Sequence, residues 1–186
     1  MPPLDSQASS SYRRHECLSV HGLRVVLNPT ATDALNHPYA NQDRKGEPVL
    51  LWVEEPSQAL VALHLRYARR AVAAYSGRNR NVFVLGQRLV VKLPRSLEGY
   101  ADNDWEGSVS NAPESLNHPE HVQYPKTRLA YVDGIPVVFM ERIEALTGRA
   151  IEARFGQEPD WVASVDGGQV GVNRHGRLVA YDYGLR

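Results

Sequence analysis

Cysteine is almost absent from this chain: Cys17 stands alone among 186 residues. One thiol closes no internal disulfide, so a disulfide scaffold and a Cys-rich zinc module are both excluded, and a reducing, cytoplasmic setting fits. An excess of either charge is missing too, since 21 Lys and Arg balance 21 Asp and Glu. Nothing global draws the chain to nucleic acid or to a membrane surface, so any charged site must be local. No apolar run approaches the roughly 20 residues that span a bilayer. The opening Met1-Pro2-Pro3-Leu4-Asp5 lacks the basic-then-apolar profile of a secretory leader. What is present, 42% hydrophobic and 23% charged residues, supports one soluble globular core. The expectation is a protein without nucleic-acid or membrane partners.

Residues 1–14 are rich in Ser and Pro and poor in large apolar groups, which predicts a tail that cannot offset the entropy of ordering. Residues 15–72 read as N-terminal strands followed by an amphipathic helix. Two short strands flank His21-Gly22, a polar loop runs to about residue 47, and Val49–Val53 is a further strand. After Pro56 and Ser57, the positions Leu60, Leu63, Tyr67, Ala71 and Ala74 recur at helical spacing. His64 shares that apolar face and reads as a core histidine. Residues 73–186 form the remaining core. Strands at Val82–Leu85 and Arg88–Leu93 meet at Gly86-Gln87, and Pro94 stops the second. Weak helical character covers 101–110, with loop from Asn111 to Lys126. Arg128–Val132 and Ile135–Arg142 are a hairpin about Asp133-Gly134. Helical segments within 146–165, broken around Gly156–Pro159, precede a closing hairpin from Gln169 to Asp182.

Lys92 ends a valine-rich strand, and a lysine there must find a negative partner or extend to solvent. Glu106, fourteen residues later on a helical stretch, is one such partner; Asp102, Asp104 and Glu114 are others. Ser76-Gly77 precedes a strand, where a glycine permits close backbone approach. Asp182 ends an apolar strand and is followed by Tyr183-Gly184. Gln169 stands thirteen residues before it, across a hairpin that pairs entrance with exit, and Asp166 lies three residues before Gln169. Phosphoryl transfer from ATP needs a cation and backbone NH groups at the phosphates, oxygen ligands for magnesium, and an acceptor for the nucleophile's proton.

From about residue 73 onward the chain resembles the protein-kinase-like superfamily, in particular the very small Ser/Thr kinases of phages and those delivered as effectors by bacterial pathogens. The resemblance rests on Val90-Val91-Lys92 and on Gln169 with Asp182-Tyr183-Gly184. It implies an α+β, minimal kinase-like fold, with an antiparallel-sheet N-lobe and a much reduced C-lobe, that takes ATP and Mg2+. By that likeness Gly77 lies over the phosphates, Lys92 holds the α- and β-phosphates, and Glu106 orients Lys92. Glu141 and Ile143 flank a hinge against the adenine edge, Asp166 is the catalytic base, and Gln169 and Asp182 bind magnesium. Two glycines separate Asp166 from Gln169 where the family has four residues, and glutamine replaces the family's asparagine. Only Leu185 and Arg186 follow the Asp-Tyr-Gly, which on this likeness implies no activation segment. The expected activity is a protein kinase acting on a host or partner protein in the cytoplasm. The alternatives are a pseudokinase that inhibits by binding and an α+β interaction protein without nucleotide chemistry.

Overall fold

A computed structural model of the chain describes residues 17–20, 23–27, 48–54, 57–109, 122–165 and 169–181. The expected tail at 1–14, the loop before residue 47 and most of the 111–126 loop lie outside the described residues. Strands β1 (Cys17–Val20) and β2 (Leu23–Leu27) pair antiparallel on either side of His21-Gly22, and β3 (Pro48–Leu51) joins β2 in parallel.

Helix α1 (Gln58–Ala68) begins where Ser57 Oγ accepts the Leu60 N–H, a side-chain cap for an otherwise orphaned donor. It buries Leu60, Leu63, His64, Tyr67 and Ala68. The helical periodicity extends to Ala74, but the helix does not. Ala71 and Ala74 are buried for another reason: β4 (Ala73–Ser76) pairs with β5 (Arg80–Leu85), and the Val72 N–H donates to Val84 O. Sheet pairing overrides a pattern that alanine, small and tolerant, does not enforce.

Strand β6 (Leu89–Pro94) follows a turn at Gly86, and helix α2 (Leu97–Val109) comes next. Strands β7 (Thr127–Val132) and β8 (Ile135–Glu141) meet at Asp133-Gly134. Those two residues have φ of 51° and 77°, the left-handed pair that a tight two-residue hairpin turn requires. The sheet order is β4-β5-β6-β8-β7, antiparallel throughout. Beyond it, β9 (Glu144–Ala145), α3 (Gly148–Phe155), a 3-10 turn (Asp160–Ser164), β10 (Val170–Val172) and β11 (Leu178–Ala180) follow. The last strands form a second antiparallel sheet, β11-β10-β9. The described chain is thus mixed α+β, built on a five-stranded antiparallel sheet and three α-helices.

Strand alternation divides the five-stranded sheet. Phe83, Val91, Leu93, Ile135 and Val137 pack with Leu60, Leu63 and Tyr67 of α1 and with Leu51 and Val53. Val90 and Lys92 turn to the opposite face, over which α2 lies. A second core gathers Ile151, Trp161, Val162, Val170 and Ala180.

Helix α2 is built inside out. Its buried residues are Gly99, Asp102, Asn103, Glu106, Gly107 and Val109, whereas Leu97 is 71% exposed. Apart from Val109 and the partly buried Tyr100, the inward face is polar or glycine, so close approach and polar contacts do much of the seating. A Cβ at Gly99 would fall 2.1 Å from the Asn79 carbonyl oxygen, and one at Gly107 would fall 2.4 Å from Leu129 Cβ. The Gly99→Ala variant is expected to destabilise the protein by about 1–3 kcal/mol through overpacking. That outweighs the roughly 1 kcal/mol that alanine gains over glycine within a helix. Urea unfolding checks it, and a neutral or stabilised variant would show that the contact yields freely.

Candidate functional site

The site begins with two alternating positions on neighbouring strands. Lys92 in β6 lies opposite Val82 in β5, and Arg80 lies opposite Pro94. Arg80 and Lys92 therefore share the face of the sheet that carries α2. Ser96 follows the strand and its Oγ accepts the Gly99 N–H, which starts the helix close to the end of β6. The helix then brings Asp102, Asn103 and Glu106 inward.

Glu106 is fully buried and faces both cations. Lys92 Nζ stands 2.9 Å from Oε1 and 3.0 Å from Oε2, astride the carboxylate. Arg80 Nη1 reaches the same Oε2 at 2.5 Å. Lys92 is 3% and Arg80 7% exposed, so the three charges meet away from bulk water. Of the other carboxylates within reach of Lys92 in sequence, Asp102 accepts from Asn79 Nδ2 at 3.1 Å, and Asp104 accepts the Tyr131 hydroxyl at 2.6 Å. That second hydrogen bond is the main cause of a raised Tyr131 phenol pKa. Glu114 lies outside the described residues. Asn103 Nδ2 donates to the carbonyls of Lys92 and Pro136, at 3.1 and 2.8 Å, fastening the helix to β6 and to the start of β8.

Gly77 belongs to a tight turn between β4 and β5. Its N–H donates to Arg80 O at 2.8 Å, and the Arg95 N–H donates to Asn79 O at 2.9 Å. The Arg95 guanidinium closes the turn from outside, donating to Ser76 Oγ at 3.2 Å and to Gly77 O at 2.9 Å. Partial burial pulls the Arg95 pKa down, an effect opposed by Glu54 nearby. Ser76 in turn donates to Asn81 Oδ1, and Asn81 Nδ2 donates to Trp52 O and to His64 Nε2. The polar chain thus runs from the turn through the sheet to α1.

Glu141 ends β8, where its N–H donates to Lys126 O and its carboxylate lies 3.5 Å from Arg174 Nε. The Arg142 N–H donates to Arg88 O and its guanidinium to Gly86 O. Both NH groups are therefore engaged within the sheet. Ile143 bridges to β9, its side chain beside the bare Cα of Gly171 in β10. Gln169 stands at the entrance to the β10–β11 hairpin, its carbonyl accepting the Tyr181 N–H at 2.8 Å. Asp166 and Asp182 lie outside the described residues. Among the described residues no group of three His, Cys, Asp or Glu side chains is placed to hold a metal ion.

Arg80 is the site residue that sequence reading passes over. Its signal is the period of β5, which puts position 80 on the same face as Val82 and hence beside Lys92. A separate groove of about 480 Å³ lies elsewhere, lined in part by Phe155, Trp161, Arg177 and Leu178. None of the residues of the Lys92 cluster contributes to it.

No protein-family model matches the chain, and no curated protein does. Among solved structures, the crystal structure of monomeric WbdD is similar to it at 14% identity and a TM-score of 0.27. The match covers 68% of this chain and 35% of that one, so the chain spans about a third of that structure's length.

Proposed function

We propose that the chain is an ATP- and magnesium-dependent phosphotransferase of minimal protein-kinase-like fold that acts on a hydroxyl of a protein. The observation that carries this reading is the buried Lys92–Glu106 pair, with the lysine on the third strand of the five-stranded sheet and the glutamate on the following helix. Kinases use that pairing to aim an ammonium at nucleotide phosphates. A buried ammonium beside a guanidinium also suits a polyphosphate by charge and by donor type. ATP would supply the transferred phosphoryl group. Lys92 would hold its α- and β-phosphates, Glu106 would hold Lys92, and Glu141 and Ile143 would flank the adenine edge. Gln169 and Asp182 would hold magnesium, while Asp166 would take the proton of the attacking hydroxyl.

A second reading, a nucleotide-binding fold kept for occupying a partner protein, is favoured by the Gly77 N–H already serving Arg80 O. Two glycines in place of four residues after Asp166 favour it as well.

ATP with magnesium is expected to raise the apparent stability, by about 2.7 kcal/mol when the ligand stands at a hundred times its Kd. Lys92→Ala and Asp182→Ala should each abolish the shift in a thermal titration. A wild-type chain indifferent to ATP and magnesium would sink both readings. Labelled phosphate incorporated into partner lysate separates transfer from binding alone.

A further inference from the structure

We infer that the groove beside β11 is a docking site for an extended segment of a partner protein, which adds to β11 as a further strand. The segment carries a large apolar residue and, two positions away, an Asp or Glu. The inference is independent of the nucleotide reading above, since the groove shares no residue with the Lys92 cluster.

Strand β11 is the outer strand of its sheet. The Asn173 N–H donates to Arg177 O and the Tyr181 N–H to Gln169 O, so Arg177, Val179 and Tyr181 are the positions bonded toward β10. Leu178 and Ala180 therefore turn their N–H and C=O groups outward. Gln123 O takes the Ala180 N–H at 2.9 Å, whereas no described residue takes those of Leu178. An unpaired donor and acceptor on a strand edge are a template for one more strand.

Leu178 also lines the groove of about 480 Å³, where Trp161 and the 39% exposed Phe155 supply an apolar wall for a large side chain. Arg177 and the amides of Gln123 and Gln157 supply the polar part, and these three side chains have no hydrogen-bond or ion-pair partner among the described residues. The groove thus holds a cation and no carboxylate: Glu158 lies against Gly148, and Asp160 is not part of the lining. A partner that fits brings the negative charge. Side chains of an extended segment alternate between faces, so the apolar and acidic residues that share the groove stand two apart.

Random short peptides displayed on phage, selected on the full chain and then synthesised for fluorescence anisotropy, test this. The enriched peptides are expected to share an aromatic or large aliphatic residue with an Asp or Glu two positions from it. Arg177→Glu should weaken a selected peptide about 5- to 30-fold, because reversal turns an exposed attraction into a repulsion. Exchanging the peptide's acid for Lys should recover most of that loss. N-methylation of the peptide backbone should weaken binding about 3- to 10-fold at alternate amides and much less at those between, the signature of strand addition. Failure to enrich any peptide, binding unchanged in Arg177→Glu, or equal effects of methylation at every amide would each overturn the inference. A concentration-dependent dimer of the free chain in ultracentrifugation, dissolved by Arg177→Glu, would place a second copy on this edge and overturn the partner segment. Should Arg177→Glu shift the urea midpoint, Phe155→Ala decides: a loss of about fivefold is expected for an aromatic contact, and no loss would count against the groove.

Discussion

Glu106→Ala is expected to lower the unfolding free energy by about 3–5 kcal/mol, the usual cost of removing one partner of a buried ion pair. The carboxylate is fully buried, and it faces two cations that are themselves nearly inaccessible. Alanine would leave both without their shared counter-charge and would also loosen the helix that carries Asn103 onto the carbonyls of Lys92 and Pro136. Glu106→Gln should be milder, since its amide oxygen still accepts one hydrogen bond but brings no charge. Adding Lys92→Met to Glu106→Ala should restore part of the loss, because neighbours in one network are not additive. Chemical unfolding at neutral pH measures all three. A cost below about 1 kcal/mol for Glu106→Ala, the scale of an exposed pair, would mean that water reaches the cluster.

Acid should weaken the fold through His64 by about 3 kcal/mol between pH 6.5 and pH 4. Burial lowers this imidazole to about 4 from 6.5, an effect only partly opposed by its hydrogen bond to Leu60 O. The geometry fixes the tautomer: Nδ1–H donates to Leu60 O at 2.8 Å, so Nε2 must accept from Asn81 Nδ2 at 3.0 Å. A proton on Nε2 would set two donors against each other. Above pH 6.5 the ring is neutral in folded and unfolded chains alike, and its protonation costs nothing. As pH falls through 6.5, the unfolded chain takes up a proton that the folded one refuses, so stability drops by about 1.4 kcal/mol per pH unit and levels off below 4. The penalty is thus absent at neutral pH and complete in acid. His64→Leu should be weaker at pH 7, because Asn81 loses a partner, yet should lack this part of the slope. Urea midpoints for both proteins from pH 7 to 4 provide the comparison; parallel curves would rule out His64 as the source.

Local chemistry makes some elements legible and leaves others hidden. Asp133-Gly134 marks its hairpin because few residues tolerate two successive left-handed positions. His64 reads correctly as a core histidine, since it shares the face of Leu60 and Tyr67. The end of α1 is misread because Ala71 and Ala74 continue its period while belonging to the connection after the helix and to a strand. Helix α2 looks weak because apolar spacing is the signal for a helix, and its inward face is polar and small. Distance along the chain makes Glu106 a partner for Lys92, but sequence alone cannot choose it over Asp102 or Asp104. That choice depends on Gly99 and Gly107 letting the helix settle against Asn79 and Leu129. Arg80 escapes notice because its role arises from β5–β6 register, a property of two strands at once. The order of strands, with β8 inserted between β6 and β7, also depends on pairing between distant segments.

Helix α1 also determines where the protein can be shortened. Every described member of the charged cluster lies after Val72, so a truncated chain starting there would retain Arg80, Lys92 and Glu106. It would nevertheless strip the cover from Phe83 and Val91 on the opposite side of the same strands. Asn81 would lose both His64 and Trp52, and with them the far end of the polar chain that runs through Ser76 to Arg95. The smallest fragment able to present the site is therefore fixed by the back of the sheet, through residues that never touch the cluster it supports.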